Sequence, residues 1–523
     1  MGHIAVLCAT TRSNVMIYID EYSHGCCVKP TTLTEHRAVI DYIKGNLYQT
    51  DKVYDKRSGQ YTVEHKATFA ASTSDRSEYR FMLSDLKPLL AFLEFNLPYT
   101  PTITRTKRPT VEGVPIDINM HIKYTPRGDE QAAAVKHALV PDKPIRVLHA
   151  ATGFGKTFCG YWTIAHTKVR TGLVMEPTHI NTWLIDAEEY CTITKRDILV
   201  IKGSDSLRTL MEMQQIGALD AKMIFFSAAT MRNYIKAYED KTEPFPYDIE
   251  PDKLFEYLGI GLIIKDESHE SIHSLCKQTI YTHTKKILFL SATLVSDNAF
   301  INQMYRKVFP KDDVWESIPN KHIDFFAYFY RSSPSAKIKY KGFRGYSHIA
   351  YESSILKNVK LKEEYWGLIR DVLFESFLDN YLQGTKAILF CSTKKMCTFL
   401  SGKAKAEFPN MTIGCFIGGS AQEELYDRDI IFSTPKSAGT GKNIPNLAVA
   451  WNTVAIGSTQ LHRQIAGRLR PIALHKEIAP RFYMLYNSTI PQHIGYEKGK
   501  RIDSMGRAKS YKKIESGRVI GSK

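Results

Sequence analysis

Between residues 146 and 487 one pattern recurs: a short apolar run, a polar or glycine-containing loop, then a longer amphipathic stretch. The first series of runs is RVLHA (146–150), GLVMEP (172–177), KMIFFSA (222–228), LGIGLIIKD (258–266) and KILFLSAT (286–293). A second series follows in AILFCST (387–393), TIGCFIGG (412–419), DIIFSTP (429–435), AVAWNTVAI (448–456) and RFYMLYN (481–487). Apolar runs of this kind are strands buried on both faces, which requires helices on either side of the sheet. The pattern predicts an α/β protein with two parallel sheets in tandem, the first placed over 119–318 and the second over 319–488.

Residues 1–118 lack the pattern. They hold the β-prone runs IAVLCAT, VMIYID and QYTVEH and one helical stretch, SDLKPLLAFLEF, and read as a β-rich accessory domain. It suits either nucleic-acid binding or a structural cap. NLPYTPTITRTKRPTVEGVP (96–115) reads as the linker that ends it. Between the two α/β units, Lys337, Lys339, Lys341 and Arg344 interleave with Tyr340, Phe343 and Tyr346. That run is either a strand-separating, duplex-gripping feature or a solvated hairpin. Residues 491–523 carry nine Lys and Arg against three acids, which predicts a basic, mobile tail.

Composition narrows the class. Over 523 residues, 70 Lys+Arg against 54 Asp+Glu leave a net charge of +16, which points to an anionic partner, nucleic acid first. With 43% hydrophobic and 11% aromatic residues the chain is no disordered tail. No stretch approaches the ~18 apolar residues of a membrane helix. MGHIAVLCATTRSN has no basic leader, and Val6 stands where a myristoylation signal has Ser or Thr, so neither export nor a lipid anchor is expected. Nine cysteines without C-x-x-C spacing fit an intracellular, soluble protein with free thiols and no structural zinc.

Four motifs carry chemistry. Ala150-Ala151-Thr152-Gly153-Phe154-Gly155-Lys156-Thr157 follows a strand and opens a helix, the setting of a phosphate-binding loop. Its glycines let backbone N–H groups curl round phosphate oxygens, and the helix N-terminus adds partial positive charge. Lys156 would reach the β- and γ-phosphates, and Thr157 would offer its hydroxyl to Mg²⁺. Asp266-Glu267-Ser268-His269 ends an apolar strand and puts two acids at the ligand edge of a parallel sheet. Asp266 would hold the metal, and Glu267 would orient and deprotonate a water. Ser291-Ala292-Thr293 ends the next strand, and with Ser268 and His269 would couple the acids to neighbouring parts. Gln464-Ile465-Ala466-Gly467-Arg468 presents an arginine suited to offsetting charge on a transferring phosphoryl group. Upstream of it, Ser433-Thr434 and Gly439-Thr440-Gly441-Lys442-Asn443 form a glycine-dense loop for ribose, a nucleic-acid backbone or a tight turn.

The order A-x-T-G-x-G-K-T, D-E-x-H, S-A-T, a glycine-rich loop and Q-x-x-G-R resembles superfamily 2 helicases and translocases of the DExH type, over roughly 120–488. Within them it looks most like the viral and phage branch, the UvsW-type phage helicases and the poxviral transcript-release helicases. The resemblance implies two RecA-like domains, ATP and Mg²⁺ in the cleft between them, and a nucleic-acid strand crossing both. It also implies roles. Arg127 and Gln131 would read adenine, with Gly441 on the nucleotide. Gln464 would accompany Arg468 in catalysis. Pro177, Thr178 and Thr230 would touch the strand in the first domain, and Gly419, Ser420 and Thr434 in the second. Pro471 stands where the family often has a second arginine, with Arg470 one place before it, and Asn443 stands where an acid is common. The implied function is an ATP-dependent DNA helicase or translocase, a monomer acting on single-stranded, forked or branched DNA in viral or phage replication, recombination, repair or transcription. RNA or an RNA–DNA hybrid is the alternative substrate, and a nucleotide-gated binding protein without unwinding is the rival class.

Overall fold

A computed structural model describes residues 16–55, 60–151, 153–268, 272–296, 298–318, 321–342, 345–438, 444–455 and 457–522. The chain forms two compact units, the first made of residues up to Ser317 other than 151–154 and 295–297, and the second of those two short segments together with the chain from Ile318. Thr152, His269, Phe343, Arg344, Gly441 and the run IAVLCAT lie outside the described residues.

The first unit opens with β1 (Met16–Glu21), β2 (Gly25–Lys29), α1 (Leu33–Asn46), the hairpin β3 (Tyr48–Asp55) and β4 (Gln60–Thr68), β5 (Ala71–Ser72), β6 (Tyr79–Met82), α2 (Leu86–Asn96) and β7 (Thr102–Lys107). Five of these strands form a mixed sheet in the order β5-β6-β2-β1-β7. The expected linker is thus corrected: its middle, alternating Thr and Ile, is β7, paired parallel with β1 from Met16–Thr102 to Glu21–Lys107. The residues after β7 are pinned too, with Val114 N–H donating to Gly259 O at 2.8 Å and Arg170 N–H to Val114 O at 2.7 Å.

The remainder of the unit is α3 (Gly128–Leu139), β8 (Ile145–His149), α4 (Lys156–Thr167), β9 (Thr171–Met175), α5 (Pro177–Tyr190), β10 (Ile198–Ile201), α6 (Ser204–Gln215), β11 (Met223–Ser227), α7 (Ala228–Glu239), α8 (Leu254–Tyr257), β12 (Leu262–Lys265), α9 (Ile272–Ile280), β13 (Lys286–Ser291), α10 (Ala299–Val308) and β14 (Val314–Glu316). Its seven strands are all parallel, ordered β10-β11-β9-β12-β13-β8-β14. The N-terminal sheet shares its core: Ile17, Phe81 and Leu89 belong to one apolar cluster with Ile280, Phe289 and Phe309. The approach is close enough that a Cβ on Gly25 would stand 2.8 Å from Ile280 O. His24 Nε2 donates to Thr284 O at 3.1 Å, and buried Arg80 on β6 reaches Asp252 at 3.1 Å.

The second unit contains β15 (Ile323–Ser332), the short pair β16 (Lys341–Gly342) and β17 (Gly345–Tyr346), α11 (His348–Lys357), α12 (Val359–Leu373), β18 (Lys386–Phe390), α13 (Lys394–Glu407), β19 (Ile413–Phe416), α14 (Glu423–Tyr426), β20 (Ile430–Ser433), α15 (Pro435–Ala438), β21 (Leu447–Asn452), α16 (Thr459–Ala466), β22 (Arg481–Asn487), α17 (Pro491–Arg507) and β23 (Ala508–Ile520). Its sheet is again seven parallel strands, β19-β20-β18-β21-β22-β15-β23. Two tandem RecA-like sheets with an N-terminal mixed sheet are the fold.

Two expectations change here. The mobile tail over 491–523 is replaced by α17 and β23, the latter pairing along the length of β15. Tyr346 of the basic-aromatic run turns inward: its hydroxyl meets His348 Nδ1 at 2.6 Å and His493 Nε2 at 2.5 Å. Among the described residues no helix is long and apolar enough to cross a membrane.

Candidate nucleotide and strand-contact site

The phosphate loop joins β8 to α4. Its entry is fixed by Ala150 N–H donating to Ser291 O at 2.9 Å, which ties it to the end of β13. Gly153 and Gly155 both take positive φ, +87° and +95°. A Cβ on Gly155 would stand 2.6 Å from Gln131 Nε2 and 3.1 Å from a guanidinium nitrogen of Arg127. Arg127 and Gln131 therefore lie against the loop, as a pair: Arg127 N–H donates to Gln131 Oε1 at 2.7 Å. Lys156 Nζ donates to Ala150 O at 3.2 Å and Phe154 N–H to Ala151 O at 3.2 Å. Lys156 and Thr157 begin α4, whose first turn holds no acid, so its positive end faces the loop unopposed.

The acids leave β12 two strands away from β8. Asp266 Oδ2 accepts from Trp183 Nε1 at 2.8 Å and Oδ1 from the Glu267 N–H at 2.8 Å, while His179 Nδ1 lies 4.0 Å from Oδ2. Burial, with the Glu267 carboxylate beside it, pushes the Asp266 carboxyl above the usual carboxylate range; His179, the Trp183 N–H and Lys156 pull it back. Lys156 and Asp266 are thus near enough to feel each other's charge. Glu267 occupies the left-handed region at φ +46°, a conformation that a non-glycine residue adopts only where its surroundings impose it. Those surroundings are the bonds of Ser268, whose N–H donates to Leu290 O (3.1 Å) and whose hydroxyl donates to Lys265 O (2.8 Å). Ser291 and Thr293 close their own turn: Thr293 N–H donates to Ser291 Oγ (3.2 Å), which donates to Thr293 O (3.0 Å).

Trp183 and His179, both on α5, are site residues that sequence reasoning missed. The signal was available in MEPTHINTW (175–183), whose Pro177 and Thr178 stand at the exposed first turn of the same helix. Lys265 ends the otherwise apolar strand β12. It is buried, donates to Thr279 Oγ1 at 3.1 Å, and burial pushes its ammonium down to about 7. Thr230 is buried on α7, and its hydroxyl accepts from Gly203 N–H at 2.8 Å, holding the loop after β10.

In the second unit the predicted residues gather at the carboxyl ends of adjacent strands. After β19, Ser420 Oγ accepts from Ile417 N–H (3.0 Å) and donates to Cys415 O (3.1 Å), with Gly419 at φ +96°. After β20, Thr434 Oγ1 accepts from Ser437 N–H at 3.2 Å. After β18, the N–H groups of Ser392 and Thr393 donate to Glu352 at 2.6 and 2.8 Å. Gln464 sits in α16, and Arg468 follows on a tight turn, its N–H donating to Ile465 O at 3.1 Å; its side chain is largely buried.

Among the described residues no cluster of three or more His, Cys, Asp or Glu is placed to hold a metal. The Thr157 hydroxyl and Asp266 carboxylate are hard oxygen donors of the kind that hold Mg²⁺ through two or so protein contacts. A divalent cation there would return the buried Asp266 carboxyl to its charged form.

No protein-family model matches the chain, and no curated protein matches it. Among solved structures it aligns with S. cerevisiae Dbp5 bound to RNA and ADP BeF3, at 14% identity and TM-score 0.47, over 75% of this chain and 91% of that one. The Pyrococcus furiosus Hef helicase domain aligns at 11% identity and TM-score 0.42, over 71% and 98%. T4 UvsW aligns at 13% identity and TM-score 0.32, over 96% and 99%.

Proposed function

We propose that this chain is a nucleic-acid-stimulated ATPase, a helicase or translocase of the superfamily 2 type. The observation that carries the reading is the convergence, at one edge of the first parallel sheet, of the β8–α4 phosphate loop and the acid pair after β12. In this reading Lys156 and the N–H groups of 152–157 hold the β- and γ-phosphates, and Arg127 and Gln131 hold the base, with Gly441 on the ribose. Thr157 and Asp266 hold Mg²⁺, which when bound neutralises charge on the phosphate oxygens. Glu267 orients the attacking water and takes its proton, and Arg468, with Gln464, offsets charge on the phosphoryl group. Ser291, Thr293 and His269 couple the acids to their neighbours.

Pro177, Thr178, Gly419, Ser420 and Thr434 contact the strand, and Thr230 acts on it through the Gly203 loop that it holds. Contacts of this kind address the sugar–phosphate backbone, so sequence preference is small and salt dependence strong. Branched or duplex DNA of a viral or phage genome is one substrate reading; RNA or an RNA–DNA hybrid stands on the same footing, because both present that backbone.

The test is ATP turnover with single-stranded DNA, forked DNA, a four-way junction, RNA and a hybrid. At least one should raise turnover about tenfold or more, and Lys156→Ala should lower it about a thousandfold with low-salt strand binding retained. No stimulation by any of the five, or full turnover in Lys156→Ala, overturns the reading.

A further inference from the structure

α16, which carries Gln464 and leads into Arg468, spans only eight residues, Thr459–Ala466, capped by the Ser458 hydroxyl accepting from Leu461 N–H at 3.2 Å. Two turns of helix do not hold themselves in water, so their placement is set by what they touch. One face is fixed by Ile465 and Ala466, buried beneath the sheet. The other is held by α17. Asp503 accepts from Arg463 Nε at 3.0 and 3.2 Å to its two oxygens, and from Nη2 at 2.5 Å. Next to it, Ser504 Oγ meets His462 Nε2 at 3.0 Å in a buried setting. Arg507 adds a second cation, 3.6 Å from Asp503. The Arg463 and Asp503 side chains are each only 15% exposed, so the pair is largely shielded from water.

α17 is anchored independently of α16. Buried His493 accepts from Asn487 N–H at 2.9 Å. Glu497 accepts from the Tyr511 hydroxyl of β23 at 3.0 Å, and β23 is itself paired with β15. The helix is therefore a fixed post, and the two-pronged bond ties α16 to it.

We infer that Asp503 is a positioning residue: by gripping Arg463 it sets the place of the Gln464–Arg468 segment, so that a helix outside every motif of the sequence governs nucleotide turnover. The inference rests on the reading of Arg468 as the phosphoryl-contacting arginine. Arg468 follows Arg463 by five residues, roughly 7 Å at helical rise, so a tilt of about 10° moves it roughly 1 Å. Displacement of that size costs about a hundredfold in rate where a group must meet a transition state. Loss of Asp503 also leaves the Arg463 guanidinium shielded without its carboxylate, so removal of either partner should have the same effect.

The experiment uses the full chain and nucleic-acid-stimulated ATP turnover. Asp503→Asn, close to isosteric, should lower kcat about 10- to 100-fold while KM for ATP and strand affinity stay within about twofold and the melting transition stays cooperative. Asp503→Glu should recover most of the rate. Arg463→Ala should match Asp503→Asn, and the double variant should be no worse than either single. A normal wild type and an inactive Arg468→Ala, beside a fully active Asp503→Asn, overturn the inference alone. So does a double variant whose loss is the product of the two single losses. A wild type without turnover, or an Arg468→Ala with full turnover, overturns the functional reading and this inference with it.

Discussion

A methyl group at Gly155 would stand 2.6 Å from Gln131 Nε2, at a backbone φ of +95° that L-residues rarely adopt. Gly155→Ala therefore costs about 1–2 kcal/mol in backbone terms and also displaces Gln131 from the loop. The expected result is a fall in kcat/KM for ATP with the fold retained, read by steady-state turnover beside a thermal melt. Wild-type kinetics would show that the loop tolerates a side chain there. Trp183 makes a different case. Its indole N–H bonds Asp266, whose carboxyl burial already pushes up. Trp183→Phe removes a donor that favours the charged form, so Asp266 should hold its proton to higher pH. The acid limb of the kcat–pH profile should then move upward; an unmoved limb would mean that the indole bond has no part in the chemistry. At this scale the sequence was legible where residue type and spacing set local geometry, as in Gly155 at its positive φ before α4 and the Asp266–Glu267 pair at the end of β12. It was not legible for Trp183 and His179, because a tryptophan on an amphipathic helix looks like core until the fold brings it beside a carboxylate.

The strands divide on the same principle. All ten apolar runs contain a strand of the two parallel sheets, because burial on both faces leaves an unbroken apolar signature. Four strands of the two sheets, β10, β14, β15 and β23, escaped notice. β10 and β14 are four and three residues long. β15 alternates in burial only over Ile323–Phe326 before the buried run Ala327–Tyr330, and β23 is an edge strand whose Lys509, Lys512, Glu515 and Arg518 are exposed. Charge along an edge is how a sheet avoids pairing with a neighbour molecule, and it is also what made this strand look like a solvated tail. A chain ended after Arg507 should expose the ten-residue β15, with buried Phe325, Ala327 and Phe329 on one of its faces. Such a chain should aggregate on size-exclusion chromatography and melt at lower temperature. A monomer with the full-length melting temperature would mean that β23 adds nothing to the sheet.

Across the whole molecule, the N-terminal sheet and the first parallel sheet are one apolar body, joined at their border by His24, whose Nε2 donates to Thr284 O at 3.1 Å. Burial pushes His24 down to about 3. The unfolded chain takes up that proton near pH 6.5 and the folded one does not, so the stability His24 contributes is present above about 6.5 and lost as pH falls, by about 1.4 kcal/mol per pH unit. His24→Gln keeps an N–H donor but does not titrate. The stability advantage of the wild type over this variant should shrink by that slope between pH 6.5 and 4, read from urea unfolding. A difference that stays constant with pH would place His24 in contact with water.

The continuity of that core also sets an order of events during synthesis. Ile17, Phe81 and Leu89 share their cluster with Ile280 and Phe309, near the far end of the unit. At about 5–20 residues per second, the roughly 200 residues between Leu89 and Phe309 occupy the ribosome for about 10–40 s. For that interval the early sheet has emerged with its apolar face uncovered. The opening fifth of this protein is thus made as an incomplete half and must be kept from strangers until its own downstream sequence arrives to cover it.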